Sequence, residues 1–186
     1  GEGAMASLIG PKSDVALAEA AAAAGSELGV CVVANDNNQG NVVISGAKAA
    51  VDKAIEKAKE LGARAIPLNV SAPFHCSLMQ PAAERLQARL AELTLDAPVI
   101  PVINNVDVAV MSDPAQIKDA LVRQAAAPVR WVEIMLAMQA AGVTRVAECG
   151  PGKVLSGVAK RCAEGIVGMA MADLAGVEAA IEAVKN

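Results

Sequence analysis

The strongest constraint on the fold is the order of short apolar runs and Ala-rich helical stretches over the first seventy residues. Residues 5–9 form a short apolar run, and Gly10-Pro11 turns the chain before Ser13, read as the N-cap of a helix reaching about Ala24. Gly25 and Gly29 stop that helix, and residues 30–34 are a continuous apolar run of strand length. Asn35-Asp36-Asn37-Asn38-Gln39-Gly40 reads as a polar turn into a second run at 42–45, which makes a hairpin. Apolar residues at helical spacing follow (Ala50, Val51, Ala54, Ile55, Ala58, Leu61), with Gly62 as the residue after the cap and 65–70 as a last strand.

The order β-α-β-β-α-β is that of a ferredoxin-like subdomain, an antiparallel sheet with two helices on one face, here assigned to residues 1–70. This order carries no chemistry by itself. Residues 71–186 read differently. A helix is expected over 77–93, a strand at 99–103, and a helix opening at Asp113-Pro114-Ala115-Gln116, with Asp at the N-cap and Pro at N1. Further helices are expected after Pro128, after Gly150-Pro151-Gly152 and from Gly176, with strands at 143–148 and 166–169. The chain is therefore α/β, its later strands apolar enough to be buried on both faces and parallel. Strands near 99, 144 and 166 are too few for a complete doubly wound sheet, so part of that sheet is expected to lie elsewhere. The start, Gly1-Glu2-Gly3-Ala4 with no Met, fits a piece of a longer protein.

Composition narrows the function classes. Apolar residues make up 54% of the chain, but no run reaches the ~18 uncharged apolar residues of a membrane span. A net charge of −4 with scattered Lys and Arg gives no footprint for a nucleic-acid backbone, and Phe74 and Trp131 are the whole aromatic complement. Neither nucleic acid nor membrane is expected as a partner. The four cysteines, Cys31, Cys76, Cys149 and Cys162, form no C-x-x-C pair, and one histidine is too few for a usual zinc set, so no metal is expected. Widely spaced thiols and no leader-like segment fit a reducing, cytoplasmic setting.

His75, the sole histidine, sits in a Pro-containing loop where a strand gives way to a helix, a common location for catalytic side chains. The alternative is a histidine that only packs. The adjacent Cys76 would allow a Cys-His hydrolase, although neighbours in sequence seldom aim at each other. No G-x-S-x-G elbow is present. Gly150-Pro151-Gly152-Lys153 is not a phosphate loop, because Ala147 stands at the first Gly position and Val154 at the Ser/Thr position. Asn104-Asn105 is read as a loop anchor.

Several segments together resemble the malonyl-CoA:acyl carrier protein transacylases and related acyltransferases. They include Gly1-Glu2-Gly3-Ala4-Met5-Ala6, Val42-Val43-Ile44-Ser45-Gly46, Asn69-Val70-Ser71-Ala72-Pro73-Phe74-His75-Cys76, Leu121-Val122-Arg123-Gln124, Pro128-Val129-Arg130-Trp131 and Glu148-Cys149-Gly150-Pro151-Gly152-Lys153. The likeness runs over nearly the whole chain but covers only the family's C-terminal part. It implies that residues 71–186 are the C-terminal part of a larger α/β-hydrolase-like parallel-sheet domain. It also implies transfer of a malonyl group from malonyl-CoA to the phosphopantetheine thiol of acyl carrier protein, in a ping-pong, Ser-His mechanism of fatty-acid biosynthesis without a cofactor.

In that family His75 would be the general base and Gln124 would accept the other imidazole N–H through its carbonyl. The cleft would run past Asn35 and Asn37, with Phe74 among the residues that choose the acyl group. The serine on its G-H-S-L-G elbow, the G-Q-G-S-Q segment and the arginine that pairs with malonyl would lie before Gly1, leaving this chain alone inactive. The competing expectation is an inert fragment or binding module with a ferredoxin-like fold. Gln39 and Asn41 depart from the family's usual Pro and Gln near the hairpin.

Overall fold

The computed structural model describes residues 2–185, so Gly1, which opens the first of the resembling segments, and Asn186 lie outside the described residues. The chain divides into two compact units, Gly1–Trp131 and Val132–Asn186.

In the first unit, β1 (Gly3–Ile9), β2 (Cys31–Asn38), β3 (Asn41–Ala47), β4 (Arg64–Pro67) and β5 (Val129–Arg130) form one sheet in the order β4-β1-β3-β2-β5. β1 pairs antiparallel with β3 and β4, β2 pairs antiparallel with β3, and β5 joins β2 in parallel at Asn35↔Val129 and Asp36↔Arg130. Helices α1 (Val15–Ala23) and α2 (Lys48–Glu60) supply Ala18, Ala21, Val51, Ala54 and Ala58 to a core with Ala6, Leu8, Val42 and Ile44 from the strands. Alanines here serve close approach rather than bulk, since a core of small aliphatic side chains reaches native density only if backbones come near one another. Gly46 marks such a place: a Cβ there would run into the Val30 carbonyl. A separate cluster, Met5, Ala34 and Val43, packs together in the same sheet.

Several local expectations are corrected. The cap of α1 is Asp14, not Ser13: the Asp14 carboxylate accepts from Leu17 N–H at 2.8 Å, while the Ser13 hydroxyl is buried without a partner. The polar run 35–38 is strand, not turn. Two register shifts, between Val33 and Asn35 and between Asp36 and Asn38, absorb the extra residues, leaving Gln39-Gly40 to turn the chain with Gly40 at φ 85°. Residues 99–103 do not form a strand. Pro98 and Pro101 lack the N–H a ladder needs, and the segment bends at Val99 and Ile100, which are 101% and 71% exposed, and pairs only through a bridge between Ile103 and Val110. The expected 77–93 helix opens as a 3-10 turn, Ser77–Met79, and continues as α3 (Gln80–Ala91). α4 (Pro114–Gln124) begins as predicted, Asp113 accepting from Gln116 N–H at 2.9 Å.

The second unit contains the body of α5 (Trp131–Ala140), then β6 (Arg145–Cys149), α6 (Val154–Cys162), β7 (Val167–Met171) and α7 (Leu174–Lys185). β6 and β7 pair in parallel, as their apolar character predicts, but neither is buried on both faces. Gly168 permits close approach, since a Cβ there would strike the Ser156 carbonyl of α6. Glu148, at the end of β6, accepts from the Ser156 N–H and hydroxyl at 2.9 Å each, so its carboxylate caps α6 from across the Gly150-Pro151-Gly152 turn. These amides, the Ser156 N–H foremost, hold the Glu148 carboxyl below its usual range.

Candidate active site

His75 lies in the first unit, in the loop that follows β4. That loop rests against the sheet through Pro73, whose ring occupies the space a side chain on Gly3 of β1 would need. His75 adopts φ 61°, a left-handed conformation that costs a residue with a Cβ free energy and that only the surrounding structure maintains. The Phe74 ring stands beside it, tilted by 52° with centroids 6.5 Å apart.

The imidazole is half-buried, and its Nδ1 is fully buried without a hydrogen bond of ordinary geometry. Burial pushes the ring below its ordinary pKa, because a charged imidazolium loses hydration there. The main-chain carbonyls of Ala127 and Gln124 act against this shift, lying near enough to favour the protonated ring but short of a well-formed hydrogen bond. Gln124 ends α4, where helical carbonyls carry partial negative charge, and its own carbonyl also accepts from the Ala127 N–H at 3.4 Å. Such a ring, neutral near pH 7 with acceptors nearby to steady an imidazolium, is suited to take a proton during a reaction and return it.

The next residue is arranged otherwise. Cys76 is 1% exposed and its thiol donates to the Pro73 carbonyl at 3.1 Å. It behaves as a small buried hydrophobe, which removes the basis for a Cys-His pair. Cys31 is pushed up to about 11, first by burial and then by Cys76.

Of the residues singled out from sequence, His75, Phe74 and Gln124 come together. Asn35 is joined to the same region through the strand pairing Asn35↔Val129, two residues beyond Ala127. Asn37 is part-buried within β2, at the second of the register shifts. Ala127 is invisible to sequence reading, because a main-chain carbonyl leaves no mark in a side-chain pattern. Asn105 anchors the loop, as its place after an apolar run predicts: its amide donates to the Pro128 carbonyl and accepts from the Arg130 N–H, each at 3.0 Å. Arg123 makes a bidentate ion pair with Asp107, at 2.9 and 2.8 Å. Among the described residues, no group of three or more His, Cys, Asp or Glu side chains is placed to hold a metal, and no helix is long and apolar enough to cross a membrane.

Comparison with known proteins points in one direction. The chain is 45% identical over 183 residues to the malonyl CoA-acyl carrier protein transacylase of Escherichia coli K12, an alignment covering 98% of this chain and 59% of that protein. The acyl-carrier-protein S-malonyltransferase of Burkholderia pseudomallei superposes with a TM-score of 0.93 at 51% identity, over 97% of this chain and 58% of that one. A malonyl-transacylase solved in complex with a type II PKS acyl carrier protein superposes with a TM-score of 0.94 at 40% identity, over 98% and 59% of the respective chains. The chain thus spans under two thirds of the length of these relatives. With the sequence profile of the acyl transferase domain matching residues 1–179 and the mixed α/β structure shared with solved malonyltransferases, the chain belongs to the acyl transferase domain family.

Proposed function

We propose that this chain carries the general-base part of a malonyl-CoA:acyl carrier protein transacylase. The observation that supports this most directly is the single histidine, half-buried on a left-handed loop residue with the Gln124 and Ala127 carbonyls near its ring. A neutral imidazole so placed takes the proton of an attacking hydroxyl as it adds to the malonyl thioester. The imidazolium, steadied by the carbonyls, then protonates the departing coenzyme A thiolate. In the second half-reaction the same ring deprotonates the phosphopantetheine thiol of acyl carrier protein, which displaces the hydroxyl oxygen and takes the malonyl group. Every proton borrowed is returned, so no cofactor is needed.

Asn35 and Asn37 line the approach to the base in this reading, and Phe74 shapes the acyl position beside it. Residues 1–70 are the small subdomain, read as ferredoxin-like from the antiparallel order β4-β1-β3-β2 with two helices packed on the strands. Residues 71–186 belong to an α/β-hydrolase-like large subdomain. The enzyme would work in the cytoplasm.

The nucleophile and oxyanion donors come, in this reading, from sequence preceding Gly1. The test is complementation: the 186-residue chain is incubated with malonyl-CoA and acyl carrier protein, alone and together with the N-terminal portion of a related transacylase. Malonyl-carrier product only in the mixture supports the assignment. Product from the chain alone means that it holds a nucleophile and the role division is wrong, and no product in the mixture favours a binding module.

A further inference from the structure

Residues 124–127 carry the two carbonyls that bear on His75, yet their side chains are Gln followed by three alanines. An Ala-Ala-Ala segment has no polar side chain to anchor it, and the long bonds of its amides to the Val122, Arg123 and Gln124 carbonyls, at 3.2, 3.3 and 3.4 Å, only continue the helix's last turn. Both of its ends are further tied to a single stretch, residues 105–107. At the leading end, the Arg123 guanidinium forks onto the two oxygens of Asp107, and its Nε also donates to Asp119 at 2.6 Å. At the trailing end, the Asn105 amide holds Pro128 O and Arg130 N, and Arg130 Nη1 donates to Val106 O at 3.0 Å.

The 105–107 stretch is itself closed by Asn104. Its amide donates to Ala109 O at 2.8 Å, its oxygen accepts from Asp107 N at 2.8 Å, and Val108 is held at φ 54° within the loop so formed. A β-branched residue in that region marks a loop whose conformation is enforced. The base is therefore backed by a braced frame rather than by a free loop.

We propose that Asn105 and Asp107 are positioning residues that fix both ends of the 124–127 segment and so hold its carbonyls against the His75 imidazole. This rests on the reading of His75 as the base. A carbonyl at one ring nitrogen selects the tautomer protonated there and leaves the other nitrogen bare to accept a proton, so the frame decides which nitrogen can act. Among the described residues, burial and the Ala127 and Gln124 carbonyls are the influences on the ring, and no charged side chain joins them.

Because His75 is the sole histidine, imidazole nitrogen NMR of the labelled 186-residue chain reads it without ambiguity. In the unaltered chain one neutral tautomer predominates. In Asn105→Ala and Asp107→Asn both tautomers are populated, and the titration midpoint falls because the carbonyl support is lost, while the amide spectrum of β1 to β4 is unchanged. Tautomer and midpoint unchanged in both variants, or mixed tautomers in the unaltered chain, would overturn the proposal. If Asn105→Ala fails to fold, Asp107→Asn, which keeps the side chain's size and one acceptor, gives the result. The complementation assay separates the two readings: altered tautomers without transfer by any version refute the transacylase reading alone, and full transfer with unaltered tautomers refutes the positioning role alone.

Discussion

Gly3 on β1 and Pro73 in the loop before His75 are in such close contact that a Cβ on residue 3 would overlap the proline ring. The relationship ties the loop to the end of the β1–β3 ladder, where Gly3 pairs with Ala47. Gly3→Ala must displace the proline, and His75 follows two residues later. A shift of this size in a proton-transferring group costs transfer on the order of 10–100-fold. The expected result in the complemented enzyme is a fall in kcat with little change in Tm. Unchanged kcat would mean that the loop yields without moving His75.

Burial leaves His75 below its ordinary pKa in the folded chain, so the unfolded state binds the proton more readily. Stability from this group is therefore fully present above the unfolded value of about 6.5 and is lost as pH falls through the folded one. Thermal melts across that window should show Tm decreasing with acidification, and His75→Ala should flatten the dependence. In the transfer assay, His75→Ala should abolish product while the far-UV circular dichroism is retained, since a half-buried loop residue contributes little packing.

The thiols should separate by accessibility. Cys149 is exposed and Cys76 is buried with its thiol on Pro73 O, while Cys31 is a poor nucleophile at about 11. Iodoacetamide labelling followed by peptide mapping should modify Cys149 first and Cys76 last among these three. Early labelling of Cys76 would reopen the Cys-His reading.

The sheet core sets the stability of the first unit. Ile44 is fully buried among α1 and α2 residues, and Ile44→Ala should cost about 2–5 kcal/mol. Gly46→Ala, with the Val30 carbonyl in its path, should cost about 1–3 kcal/mol through overpacking. Urea denaturation of both variants checks the pair, and a neutral Gly46→Ala would show that β2 can move aside.

Apolar spacing suffices to locate α2 and the succession of strands and helices in the first seventy residues, because a period of 3.6 or 2 is a direct trace of which face is buried. It fails at 99–103, where Pro101 outweighs the apolar run, and at 35–38, where strand pairing and two register shifts accommodate polar residues that resemble a turn. The His75 loop was legible because a lone histidine after Pro is conspicuous. The frame behind it was only half legible: Asn105 stood out as an anchor, but Ala127 acts through its main chain, and the Arg123–Asp107 pair joins residues 16 apart with no periodic signal.

His75 occupies a backbone conformation that glycine would adopt at lower cost. Directed evolution of this chain for thermal tolerance alone would thus favour His75→Gly, enriching better-folded variants that have discarded the proposed base. A screen for robust versions of this domain has to score proton transfer alongside melting temperature, because at residue 75 the two objectives select different amino acids.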